Sequence, residues 1–159
     1  MTAARTPRTR AVAALAALAA STSLLGGCQL ISPRQTDKMY DAGDGVSVDV
    51  GEIQVRNLVV VGTKAGGAGT VSAAVGNPTG EAVTLTFATA EANATAQIPA
   101  HSTVDLSKSD TKVVLSKVDQ APGDMTQLSV SSVASGQSPV LVPVVPGTGY
   151  YEGLAPTTP

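Results

Sequence analysis

The sequence predicts an all-β domain, an antiparallel sandwich, behind an N-terminal export segment. Three observations predict it. Valine occurs twenty times between Val46 and Val145, with threonine frequent among it; both fit a pleated, half-buried surface, while Leu, Glu and Lys are too sparse for helices. Apolar and polar residues alternate with period two in Val46-Ser-Val48-Asp-Val50, Val83-Thr-Leu85-Thr-Phe87, Leu128-Ser-Val130-Ser and Val140-Leu-Val142-Pro-Val144. Turn signals separate these runs about every eight to fourteen residues, the rhythm of a sandwich or barrel.

The chain of 159 residues opens with MTAARTPRTR, three arginines and no acid, followed by an uncharged Ala/Leu-rich stretch over 11–25. That order is a secretory signal, and the apolar stretch falls short of the ~20 residues that span a bilayer. It ends in SLLGGCQL, which holds the only cysteine. Leu25-Gly26-Gly27-Cys28 resembles the bacterial lipobox, with Leu three residues before the cysteine and small residues directly before it. The resemblance implies that Cys28 receives a diacylglyceryl group and becomes the first residue after cleavage, so that 1–27 is a signal peptide. Two acyl chains hold a protein on a membrane far better than one. Gln29 is not Asp, so nothing here points to retention at an inner membrane. With 1–27 removed, seven basic residues face twelve acidic ones, a formal balance of −5 that lacks the clustered Lys and Arg of a nucleic-acid binder. No second cysteine exists, so no intrachain disulfide supports the exported domain.

Residues 28–45 are polar and turn-rich and read as the lipid anchor and a flexible tether, reaching about 20 to 25 Å from the membrane. Residues 46–146 form the sandwich. The period-two runs above are joined by strand-like stretches at 53–61, 70–75 and 112–118. Turn signals fall at 65–69, 77–80, 99–101, 108–110, 122–124 and 135–136. Phe87 is the only phenylalanine and tryptophan is absent, so the core consists of small aliphatics. Pro139 and Pro143 place the last strand at an edge, where a missing N–H costs nothing. Residues 147–159 lack periodicity, are proline-bearing and read as a disordered tail.

The segment Ile98-Pro99-Ala100-His101-Ser102-Thr103-Val104-Asp105-Leu106, the stretch 112–118, Pro122-Gly123-Asp124 and the closing strand 140–145 resemble the periplasmic copper chaperones of the PCu(A)C type. The likeness extends back through Val50-Gly51-Glu52-Ile53 and Asn77 to Gly80, covering about 100 residues. It implies an Ig-like or cupredoxin-like sandwich. Those chaperones bind copper with two His and several Met, ligands that suit Cu(I). This chain has one His and, beyond the initiator, only Met39 and Met125; Val113-Val114-Leu115-Ser116 carries no methionine, and the family's ligand-bearing segment between the Phe87-like strand and the Ile98-like turn is missing. The plan is closer to actinobacterial lipoproteins of the LpqE kind, which look like the same fold on a lipid anchor with the metal ligands lost.

The remaining candidates have plain readings. His101 sits in a turn where the chaperone pattern favours Gly. No G-x-S-x-G, P-loop, G-x-G-x-x-G or C-x-x-C occurs, and Gly62 to Gly69 is a glycine-rich hairpin loop. Asp37, Asp41, Asp44 and Asp49 lack the spacing of a calcium loop. Asn93-Ala-Thr95 has the form of a glycosylation acceptor, which carries no weight behind a bacterial lipobox. Tyr150 and Tyr151 form an exposed aromatic pair in the tail, able to act as recognition anchors.

The function read from these features is a lipid-anchored, extracytoplasmic binding or scaffold module at the cell membrane, not an enzyme, with no cofactor or metal site, whose partner is another envelope protein. The alternative is an accessory copper-handling protein with a reduced site built from His101 and Met125.

Overall fold

The computed structural model describes residues 11–15 and 43–156. The chain divides into two units, Met1–Tyr40 and Asp41–Pro159. In the first, residues 11–15 are helical and fall in the apolar stretch. No helix among the described residues is long and apolar enough to cross a membrane. The other expectations for the first 42 residues, including the cleavage point, Cys28, Met39, Asp37 and Asp41, lie outside the described residues.

The second unit is built of strands: β1 Val46–Val50, β2 Ile53–Gly62, β3 Gly67–Asn77, β4 Val83–Ala88, β5 Asn93–Ile98, β6 Ser102–Asp105, β7 Val113–Val118, β8 Met125–Ser132 and β9 Gly136–Pro146. The long β2–β3 hairpin is the spine of one sheet. Along β2 lie β1 and the end of β9, and along β3 lie β6 at Ala74–Asn77 and β7 at Gly67–Val71. The second sheet runs β5-β4-β8-β9. Inward side chains of both sheets, among them Phe87, Leu85, Leu128, Val130 and Ile98 from the second and Val55, Leu58, Val71, Val75 and Leu115 from the first, form one core of small aliphatics around Phe87. The expected all-β sandwich is therefore the observed fold.

One pairing departs from the antiparallel expectation, and with it β9 lies between β8 and β2 rather than at the edge its prolines suggest. β9 leaves β8 and continues onto β2 in parallel, Val60 opposite Val144 and Gly62 opposite Pro146. β1 occupies β2 only as far as Leu58, which leaves the far end of β2 open for it. Val144 N–H donates to the Asp124 carbonyl (2.9 Å), and the Val144 carbonyl accepts from Gly123 N–H (2.8 Å). Backbone polarity alternates along a strand, so the missing N–H groups of Pro139 and Pro143 fall on the side turned away from β8, where no ladder bond is lost.

Two local devices set the register. The β1–β2 hairpin joins Val50 to Ile53 through two residues, and Gly51 takes the positive φ (62°) such a tight turn requires. In β2 a bulge between Arg56 and Val59 holds Asn57 at φ 52°. Before it the inward residues are Ile53 and Val55, and after it Leu58 and Val60, because an inserted residue exchanges the two faces. Asn tolerates the left-handed region, and here its Oδ1 also accepts from Gly45 N–H (2.8 Å). The expected glycine-rich loop is shorter than its sequence implies. β3 already begins at Gly67, and a Cβ at Gly69 would lie 2.7 Å from the side chains of both Val60 and Val118.

Two boundary expectations are corrected. Gly45 is buried and Gly43 to Gly45 pack against Asn57, so the last residues assigned to the tether belong to the domain. Residues 147–156 are not a loose tail. They turn through one 3-10 element, Gly149–Tyr151, and lay Tyr151 and Leu154 over Val59, Val61 and Val145, the outward residues of β2 and β9. Burial of those valines by the returning chain is the physical reason the segment is ordered. Residues 157–159 lie outside the described residues.

Candidate functional site

Sequence-derived candidates separate in space. His101 occupies the β5–β6 turn at φ 50°, a conformation that glycine accepts without strain. Its N–H donates to the Thr79 carbonyl (3.0 Å), and it lines a shallow depression of about 390 Å³ with Gln54, Asn77 and Thr103. Asn77 organises this corner. Buried at the end of β3, it donates from Nδ2 to the carbonyls of Glu81 (2.8 Å), Pro99 (3.0 Å) and Ile98 (3.2 Å), while Oδ1 accepts from Thr79 N–H and Oγ1. The corner is a structural knot in which His101 supplies backbone rather than imidazole chemistry.

Met125 opens β8, opposite Pro143. The other end of β8, Ser132, lies opposite Leu85 near the start of β4, which is the end of the sandwich that carries Thr79 and His101. Seven residue-to-residue steps of extended chain run from Met125 to Ser132, about 23 Å at 3.3 Å each. His101 and Met125 therefore do not form one site, and the reduced copper site built from that pair is corrected. Among the described residues no group of three or more His, Cys, Asp or Glu is placed to hold a metal ion.

Asp44 and Asp49 do different work. Asp49 pairs with Arg56 at 2.5 Å on the surface, both side chains being largely exposed, which is worth little. Asp44 Oδ2 accepts from the Tyr151 hydroxyl (3.2 Å). Burial first, and the hydrogen bond and charge of Asp44 second, push the Tyr151 phenol up to about 12. The expected exposed aromatic pair is thus corrected: Tyr151 is buried, and only Tyr150, stacked edge-on at 5.2 Å, faces solvent. Lys117 contacts Glu91 and lies 3.5 Å from Asp119; its pKa is raised by the hydrogen bond to Glu91 and then by that charge.

A different surface stands out once the sheets are assembled. The strands β4, β5, β8 and β9 contain no charged residue. Their outward positions form a face of Ser, Thr, Gln, Asn, Pro and Ala88 with exposed Met125 and Leu141 at one end. A trough of about 410 Å³ runs across it. Its floor is low because Ala88, Ser129 and Ser131 are small, and Gln127, Gln137 and Pro139 stand around them. The side chains of Gln127, Ser129, Ser131 and Gln137 make no hydrogen bond within the described residues. Sequence reasoning registers the alternation of β4 and β8 but passes over this face. The signal is present, since every polar residue alternating with the core in those strands is neutral. A third depression, about 210 Å³, lies between Glu52, Glu81 and Ser135 on exposed turns.

The class defined by this architecture is an all-β sandwich of two sheets sharing one strand. No family model matches the chain, and no curated protein matches it. Among solved structures it is similar to a copper-bound PCuAC domain from PmoF2, at 13% identity and a TM-score of 0.49, over 64% of this chain and 98% of that domain.

Proposed function

We propose that the chain is a lipid-anchored binding module of the cell envelope that carries out no chemistry itself. The observation that carries this reading is the neutral outer face of β5-β4-β8-β9, whose trough is lined in part by Gln127, Ser129, Ser131 and Gln137, side chains without hydrogen-bond partners among the described residues. Among the described residues, Gly43 to Gly45 and Tyr151 lie against β2, on the outside of the other sheet. The lipobox Leu25-Gly26-Gly27-Cys28 supports attachment to the extracytoplasmic side of the membrane.

Fractionation of cells expressing the wild-type chain and Cys28→Ser tests the anchor. The wild type is expected with the membranes and the variant in the soluble extracytoplasmic fraction with an unchanged thermal midpoint. Membrane retention of Cys28→Ser would defeat the reading.

A further inference from the structure

We propose that the trough on the outer face of β4, β8 and β9 binds an uncharged, hydroxyl-rich polymer, a neutral polysaccharide. The inference rests on the binding-module reading above and names the ligand class for that surface. Charge comes first. A nucleic acid, an anionic headgroup or an acidic peptide needs counter-charges, and the four strands offer none of either sign. Glu91, next to the trough-lining Ala90, is already paired with Lys117. A neutral surface also gives up its water at lower cost than a charged one.

Hydrogen-bonding capacity comes second. Gln127, Ser129 and Ser131 project from alternate positions of β8, about 7 Å apart, and Gln137 stands across from Ser131 on β9. Two amides and two hydroxyls, each able to donate and to accept, form a line of groups without partners among the described residues, the chemistry that hydroxyls of a sugar chain satisfy. Apolar contact comes third, since Pro139 and Ala88 flank the line and present carbon surface to the C–H faces of sugar rings. The volume is in the range of small-ligand sites, ~300–1,000 Å³, and the trough is open, so a polymer can pass through without a free end.

The test uses the full chain purified in detergent and affinity electrophoresis in gels containing dextran, mannan or galactan, with carboxymethyl-dextran as the charged counterpart. Retardation by one or more of the neutral polymers is expected. Ser131→Arg, which fills the trough, and the double variant Gln127→Ala/Gln137→Ala are expected to weaken it about tenfold or more without moving the thermal midpoint. No retardation by any neutral polymer, retardation only by the carboxymethylated one, or retardation indifferent to both variants overturns the proposal. So does a dimer in sedimentation, or capture of an envelope protein, that Ser131→Arg abolishes in the absence of polysaccharide binding. Fractionation of Cys28→Ser reads the anchor independently, so failure here leaves that result standing.

Discussion

The Tyr151 hydroxyl donates to Asp44 Oδ2 across 107 residues of chain, fastening the segment that follows β9 to the arm that precedes β1. Both sit on the outside of β2, where Tyr151 joins Val59 and Val61 in a small second core. The contact ties the two ends of the sandwich to one strand.

The first prediction concerns pH. Because the phenol is held neutral up to about 12 in the folded protein, against about 10 in an unfolded chain, Tyr151 contributes stability that is complete below pH 10 and is lost as pH rises from 10 toward 12. Chemical denaturation across that interval should show a decline in the wild type that Tyr151→Phe largely lacks. Parallel profiles would break the assignment.

Removing the ring altogether acts on packing. Tyr151→Ala uncovers Val59, Val61 and Val145, and should cost about 3 kcal/mol, in the range of large aromatic truncations. Equilibrium urea melts measure it, and a loss under about 1 kcal/mol would mean that the segment covers less than its burial implies.

The bulge residue separates two effects. Asn57→Gly keeps the left-handed backbone and loses the bond to Gly45 N–H together with the side chain's packing on Gly43, about 1 kcal/mol; Asn57→Ala adds the strain of φ 52° and should cost about 2 to 3 kcal/mol. Equal losses in thermal melts would show that strain is not part of the cost.

At the knot, Asn77→Asp replaces a group that donates to three carbonyls with an acceptor, and should cost about 3 kcal/mol at neutral pH. The protonated acid can donate, and burial among carbonyls favours it in the folded state, so the deficit should shrink as pH falls toward about 4, the unfolded carboxyl's value, and level off below it. A deficit independent of pH would contradict the donor geometry.

Thr70 runs the other way. Its hydroxyl is buried on β3 with no hydrogen-bond partner among the described residues, so Thr70→Val should stabilise the protein by about 1 kcal/mol. Destabilisation on substitution would mean that the hydroxyl has a partner.

Much of the fold is legible in the sequence because valine and threonine alternate where only one face is buried, as in β4 and β8. β2 is less legible. Val59-Val60-Val61 is continuous rather than alternating because Val60 faces the main core while Val59 and Val61 face the returning segment, and the Asn57 bulge exchanges the faces just before. That unbroken run was the available sign that something covers the outside of β2, and proline and glycine in 147–159 hid what it was. β5 escaped the strand reading because Asn93-Ala-Thr-Ala-Gln has small residues and little β-branching. The neutral face could be read only after pairing had set Ser129 beside Pro139 and Ser131 beside Gln137.

The passage of β9 from one sheet to the other also sets an order of events in time. Val60 and Val144 are neighbours in space and more than eighty residues apart in the chain, so the contact that joins the sheets closes a very large loop. Such pairings reward the chain only after most of its conformational freedom is lost, and domains dominated by them fold in milliseconds to seconds. β2 can zip to β1 and β3 early, but it must wait for the last strand, and a chain emerging from its N-terminus leaves the sandwich incomplete until β9 is free.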